Sequence, residues 1–198
     1  MGDALTGLLL AGGSASRFGA NKLLARLPGD ECVGLKAARR LADAVDSLLV
    51  VTRAGDDTTW ECFSRAGFEV VECADAHLGM GHSVRCGVRR SMQARAWIVA
   101  LGDMPHVETA TVKRVIRRFD EADAIIVPRY RQRSGHPVLF PARFRSDLLE
   151  LSGDEGARSI LRSYAGEVQW IETDDPGVLL DIDEPSDLTR TPDRDGRG

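Results

Sequence analysis

The segment Leu10-Ala11-Gly12-Gly13-Ser14-Ala15-Ser16-Arg17-Phe18-Gly19-Ala20-Asn21-Lys22 gathers glycines and two cations into one short stretch. Glycine backbones reach conformations closed to other residues, so main-chain N–H groups at Gly12 and Gly13 can converge on an anion. Arg17 and Lys22 bring two positive charges to the same place. That combination suits a triphosphate. The P-loop pattern does not account for it, because Lys22 lies between Asn21 and Leu23 rather than in Gly-Lys-Ser/Thr. The dinucleotide pattern Gly-x-Gly-x-x-Gly is also absent, since Gly12 and Gly13 are adjacent.

Carboxylates supply the second chemistry. Asp103, in Gly102-Asp103-Met104-Pro105, follows an apolar run and reads either as a ligand for Mg²⁺ beside substrate phosphates or as an Asx-turn before Pro105. In Asp181-Ile182-Asp183-Glu184-Pro185, strand alternation would set Asp181 and Asp183 on one face, where either could add a ligand to the same ion. The same residues also suit a helix N-terminus, where proline and acidic side chains are favoured. Two further segments carry weaker signals. His77-Leu78-Gly79-Met80-Gly81-His82-Ser83 opens a helix and could line a ribose or base, or simply cap that helix. Arg129-Tyr130-Arg131-Gln132-Arg133 leads through Ser134-Gly135 to His136. These arginines could receive an anionic second substrate that His136 orients, or form a solvated hairpin tip with a structural histidine.

Buried strands and amphipathic helices must position these groups. The run Leu8–Ala11, closed by Gly12-Gly13, reads as a strand buried on both faces. Strands are also expected at Ser47–Thr52, Phe68–Val71, Trp97–Leu101, Ala124–Val127, Val138–Phe140, Val168–Glu172 and Val178–Ile182. Helical spacing marks Leu35–Val45, Thr58–Ala66, Val84–Met92, Val112–Phe119, Phe144–Leu151 and Ala157–Tyr164. Alternating strands and helices predict a three-layer α/β/α fold with a mostly parallel, Rossmann-like sheet, and ligands at the carboxyl ends of its strands. Residues 1–188 read as one domain and 189–198, polar and rich in Gly and Pro, as a disordered tail.

Composition limits the partners. The chain of 198 residues has 43% hydrophobic and 28% charged residues and a net charge of −4, which argues against non-specific nucleic-acid binding. No apolar run reaches the length of a membrane span, and Met1-Gly2-Asp3-Ala4-Leu5 lacks a basic secretory n-region, so a cytoplasmic protein is expected. Cys32, Cys62, Cys73 and Cys86 lack metal-ligand spacing and read as unpaired thiols.

Taken together, the segments resemble the MobA-like nucleotidyltransferases, whose signature L-A-G-G-x-S-x-R-x-G-x-x-K is matched by Leu10–Lys22 at every fixed position. The resemblance runs from Gly7 to Leu188. It continues through Gly79-Met80-Gly81-x-Ser83, Gly102-Asp103-Met104-Pro105, Gly135-His136-Pro137-Val138-Leu139-Phe140 and Asp181-Ile182-Asp183-x-Pro185-x-Asp187-Leu188, which look more like the molybdenum cofactor cytidylyltransferase branch. Residues 27–35 depart from it, lacking the usual Gly-x-Pro-Leu.

The resemblance implies a nucleotide-diphospho-sugar transferase-like fold and transfer of CMP from CTP, with Mg²⁺, to the phosphate of molybdopterin, with a molybdoenzyme as client. It assigns the nucleotide to Leu10, Ala11, Gly12, Gly13, Ser14, Lys22, Gly81 and Ser83, and catalysis to Arg17, Lys22 and Asp103. The metal falls to Asp103 and Asp183, and the acceptor to Arg131, Arg133 and His136. GTP in place of CTP, a different acceptor, or a non-catalytic nucleotide or cofactor carrier are the alternatives.

Overall fold

The computed structural model describes residues 4–13, 18, 21–154 and 156–190. The first strand, β1 (Leu5–Ala11), is buried along its whole length. Its side chains alternate between two cores: Leu8 and Leu10 enter one, Leu5, Leu9 and Ala11 the other. β2 (Ser47–Arg53), β3 (Glu69–Cys73) and β4 (Ala96–Leu101) lie parallel to it. β5 (Ile125–Tyr130), the two-residue β6 (Arg133–Ser134), β7 (Val138–Pro141) and β8 (Val168–Glu172) complete an eight-stranded sheet.

The strand order is β3-β2-β1-β4-β7-β5-β6, with β8 parallel to β5. β7 runs antiparallel to both β4 and β5, so the carboxyl ends of β1, β2, β4 and β5 share one edge of the sheet. Strand order reverses across β1, which places the crevice between the ends of β1 and β4. There the backbone is tied directly, Gly102 N–H donating to the Leu10 carbonyl at 2.9 Å.

Helices cover both faces. α1 (Val33–Ala42), α2 (Asp57–Arg65) and α4 (Thr109–Ala122) place Ala37, Leu41, Phe63, Val112, Val115 and Phe119 in the core with Leu9. α3 (Met80–Arg90), α5 (Arg145–Glu150) and α6 (Arg158–Ser163) place Val84, Val88, Leu148 and Ile160 in the core with Leu8 and Trp97. Gly87 sets how close α3 comes to the sheet, because a Cβ there would lie 2.8 Å from a Leu8 methyl.

Three expectations are corrected. Residues 176–179 form a 3₁₀ turn instead of the start of a strand. The buried Asp175 carboxylate accepts from the Gly177 and Glu108 amides at 2.9 and 2.8 Å and from the Thr111 hydroxyl at 2.8 Å, which coils the chain there. Thr189, assigned to the tail, instead closes a 3₁₀ turn over Pro185–Thr189; residues 191–198 lie outside the described residues. Cys73 and Cys86 are joined in a disulfide with Cα atoms 6.0 Å apart, where free thiols were expected; the spacing in sequence gave no sign that the end of β3 meets α3. Cys32 and Cys62 are free. Among the described residues no helix is long and apolar enough to cross a membrane.

Candidate active site

Lys22 is delivered to the crevice by a short 3₁₀ turn, Lys22–Leu24, that two polar residues hold in place. The Asn21 carboxamide oxygen accepts from Leu23 N–H at 3.1 Å, and its amide nitrogen donates to Thr59 and Asp56 on the α2 side. Leu23 is buried beneath the turn. Asp103 follows β4, and its backbone carbonyl accepts from Ile182 N–H at 2.9 Å. With Ile182 itself buried, this tether brings the 181–183 segment back to the same edge.

Lys22 Nζ sits 2.7 Å from Asp103 Oδ2 and 2.8 Å from Asp183 Oδ1. Asp187 orients the last of these by accepting from the Asp183 and Glu184 amides at 3.0 and 2.9 Å. Those backbone hydrogen bonds hold the Asp187 carboxyl below the usual carboxylate range.

The electrostatics follow from the crowding. Burial alone would depress the Lys22 ammonium, but its hydrogen bonds to Asp103 and Asp183, and their charges, outweigh that and raise it above an ordinary lysine. Burial raises Asp181 above the usual carboxylate range, and the charges of Asp183 and Asp103 add to the effect. Among the described residues Lys22 is the cation paired with Asp103 and Asp183, with Asp181 close by, so the carboxylates outnumber it. Asp103 Oδ1 is buried and has no hydrogen-bond partner among the described residues. An unpaired buried carboxylate oxygen next to surplus negative charge is what a hard divalent cation would satisfy.

A cavity of about 520 Å³ runs along the sheet edge from this cluster. Among the residues assigned from sequence, Leu10, Gly12, Gly13, Lys22, Ser83 and Asp103 line it. The glycines work differently from the expectation. Neither Gly12 nor Gly13 has a left-handed φ. Gly12 instead makes room, a Cβ there coming within 3.0 Å of the Ala76 methyl and 3.4 Å of the Ser83 hydroxyl, while Gly13 faces open space.

Ala11 is buried in the sheet and Gly81 packs on the Ser152 backbone, so neither is part of the cavity lining. Asp183 reaches the site through Lys22, and Asp181 makes no bond to it. Ser14 and Arg17 lie outside the described residues.

The acceptor candidates stand apart. Arg131 and Arg133 are exposed on the β5–β6 hairpin, at the same edge but outside the cavity, with the Arg131 guanidinium 5.1 Å from the Tyr130 ring. His136 lies behind them, bordering a separate void of about 20 Å³ with Pro137 and Met104. One edge of the residue stays open, yet its ring is closely surrounded and Nδ1 is buried without a partner. Burial lowers its pKa to about 4, against a backbone hydrogen bond to Val99 that works the other way.

Three lining residues escaped the sequence reading, Arg53, Ala76 and Asp154, whereas His77 and Met80 belong to the segment expected to line a ribose or base. Arg53 carried a usable signal, since it ends a buried strand as Asp103 does. Asp154 comes from a distant loop and carried none.

A lysine and paired aspartates beside a cavity at the switch point of such a sheet suit a nucleotidyltransferase. The chain belongs to the MobA-like NTP transferase domain family, whose model matches residues 7–168. It is 31% identical to the purine catabolism protein PucB of Bacillus subtilis over 92% of this chain and 93% of that protein. It is 29% identical to the nicotine blue oxidoreductase of Paenarthrobacter nicotinovorans over 96% and 99% of the two chains. It is also 29% identical to a probable molybdenum cofactor guanylyltransferase of Thermococcus sibiricus over 74% and 72%. Among solved structures, Rv0371c of Mycobacterium tuberculosis superposes with a TM-score of 0.80 at 27% identity, covering 94% of this chain and 96% of that one.

Proposed function

We propose that this nucleotidyltransferase moves CMP from CTP to the phosphate of a molybdopterin-type acceptor and releases pyrophosphate. The observation that carries the reading is the convergence of Lys22, Asp103 and Asp183 at one end of a nucleotide-sized cavity. A phosphate oxygen of the acceptor attacks the α-phosphorus. As that P–O bond forms, the bond to the β-phosphate bridging oxygen breaks, and its electron pair leaves with pyrophosphate. The protein has only to align these groups and neutralise charge. Lys22, fixed as a cation, faces the developing charge on the phosphates. Asp103, through its free Oδ1, and Asp183 would hold Mg²⁺, which when bound adds positive charge against the triphosphate.

Cytosine as the donor base rests on the resemblance of the Gly79–Ser83, Gly135–Phe140 and Asp181–Leu188 segments to cytidylyltransferases. The Thermococcus relative, named for guanylyl transfer, favours GTP as the alternative. Arg131 and Arg133 support an anionic acceptor. Their turn is two residues long, with Arg131 at φ 49° and Gln132 at φ 65°, conformations that non-glycine residues hold only at a cost.

Incubating the full chain and Mg²⁺ with molybdopterin and each of the four NTPs, and measuring pyrophosphate, tests the reading. CTP should give the fastest release. Faster release with GTP makes the enzyme a guanylyltransferase, and nucleotide binding without release makes it a carrier.

A further inference from the structure

Among the residues lining the cavity is a carboxylate with no role in the chemistry above. Asp154 belongs to the segment joining α5 to α6, and it lines the cavity beside Gly79 and Met80. Interlocking glycines hold it there. Gly81 N–H donates to the Gly153 carbonyl at 3.0 Å. Gly79 has φ +127°, and a Cβ on it would overlap the Gly153 carbonyl group. A Cβ on Gly81 would lie 2.8 Å from Ser152 N, and one on Gly156 3.0 Å from the Met80 sulfur. The Gly79-x-Gly81 pair therefore admits Ser152, Gly153 and Asp154 against the cavity wall, and that contact fixes where Asp154 stands. Asp154 is exposed to the cavity mouth, and among the described residues its carboxylate makes no hydrogen bond or ion pair.

Position along the cavity says what it faces. Asp103 follows β4, Gly12 and Gly13 follow β1, and Arg53 ends β2, so the cavity crosses two strand spacings, roughly 10 Å. With the phosphates at Lys22 and Asp103, the β2–β3 side receives the nucleoside. The segment Ala76–Ser83, against which Asp154 is clasped, forms that side. An ionised carboxylate only accepts hydrogen bonds, so it rewards a base that presents N–H donors and leaves carbonyl oxygens unrewarded. Cytosine offers such a donor in its 4-amino group and guanine in its 2-amino group; uracil and hypoxanthine lack these exocyclic groups and keep only a ring N–H, at N3 and N1, so the amino group is what distinguishes the members of each pair.

We propose that Asp154 reads the exocyclic amino group of the donor base and is a specificity-determining residue of this enzyme. The proposal rests on the nucleotide-transfer reading, and the test separates the two. Equilibrium binding of CTP against UTP, and of GTP against ITP, is measured for the full chain and for Asp154→Ala and Asp154→Asn, with KM for the acceptor determined in parallel. The wild-type protein should bind the amino-bearing member of its donor pair at least about tenfold more tightly, as expected for a hydrogen bond to a charged group. Asp154→Ala should bring that ratio to within about twofold while binding of UTP or ITP stays unchanged, and Asp154→Asn should fall between. An unchanged ratio in Asp154→Ala overturns the proposal. So does a change confined to the acceptor KM, which would place Asp154 on the amino edge of a pterin. Discrimination without pyrophosphate release leaves base reading standing and removes the transfer reading; no nucleotide binding at all removes both.

Discussion

The two halves of the active edge are built to different standards. On the β2–β3 side, the wall from Ala76 to Ser83 lies wholly inside the loop closed by the Cys73–Cys86 disulfide, and Ser152, Gly153 and Asp154 are clasped onto it through Gly79 and Gly81. On the β5 side, the hairpin carrying Arg131 and Arg133 is exposed, outside the cavity, and turns through two strained non-glycine residues. The half assigned to the nucleotide is cross-linked and clasped around a cavity, while the half assigned to the acceptor is a surface appendage. Between them lies the Lys22–Asp103–Asp183 cluster, which both must share.

Breaking the shared cluster should have the largest effect. Lys22→Ala or Asp103→Ala is expected to lower pyrophosphate release by at least about 100-fold, the scale of a lost charge-stabilising donor. Circular dichroism should show the fold retained. Near-normal turnover in either variant would remove the cluster from the chemistry. The enclosed half comes next. Cys86→Ser should cost about 3 kcal/mol for a loop of 13 residues. For a chain of this size that is a fall in Tm of roughly 6–12 °C. CTP binding should weaken with it. Dithiothreitol should reproduce both effects in the wild-type protein and add nothing in the variant, which distinguishes the disulfide from a general loss of packing.

On the acceptor side His136 supplies a pH test. Its folded pKa of about 4 lies below the ordinary histidine value, so between these limits the unfolded chain binds a proton that the folded chain refuses. Stability from this group is therefore complete above about pH 6.5. It falls by up to roughly 1.4 kcal/mol per pH unit as the solution is acidified towards 4. Urea unfolding at pH 7 and pH 5 should show this loss in the wild-type protein and a shallower one in His136→Gln. Equal slopes would mean the ring is solvated.

Much of the sheet was legible because buried strands announce themselves: β2 was read to within one residue of its end and β8 in full. Asp103 was legible for a related reason, standing two residues past an apolar run at the edge where such sheets bind ligands, and Lys22 through the glycine-rich segment that follows β1. What stayed hidden depends on contacts between distant segments. Asp183 was expected to reach the site by alternation along a strand; it arrives instead through the Ile182–Asp103 backbone bond. Gly12 was read as conformational freedom and proves to be room for Ala76 and Ser83. Asp154 and the Cys73–Cys86 pair became visible only when tertiary packing brought 152–154 and α3 to the wall. Period and spacing report which way a residue faces, and they are silent on what it meets there.

The smallest expected effect bears most directly on the contrast between the halves. A two-residue hairpin with positive φ at both positions prefers Asn-Gly, yet this one holds Arg131-Gln132. Strain of this kind persists where the side chain is worth more than the conformation costs. Replacing the pair, Arg131→Asn with Gln132→Gly, should therefore raise stability by about 1–2 kcal/mol while raising KM for the acceptor several-fold and leaving KM for CTP unchanged. A further Arg133→Ala change should deepen the acceptor defect alone. If stability rises and both KM values hold, the hairpin is ornamental to transfer and the acceptor must be sought nearer His136. If both KM values rise together, the division of the edge into a donor half and an acceptor half is wrong, because a residue outside the cavity would then be shaping the nucleotide's own site.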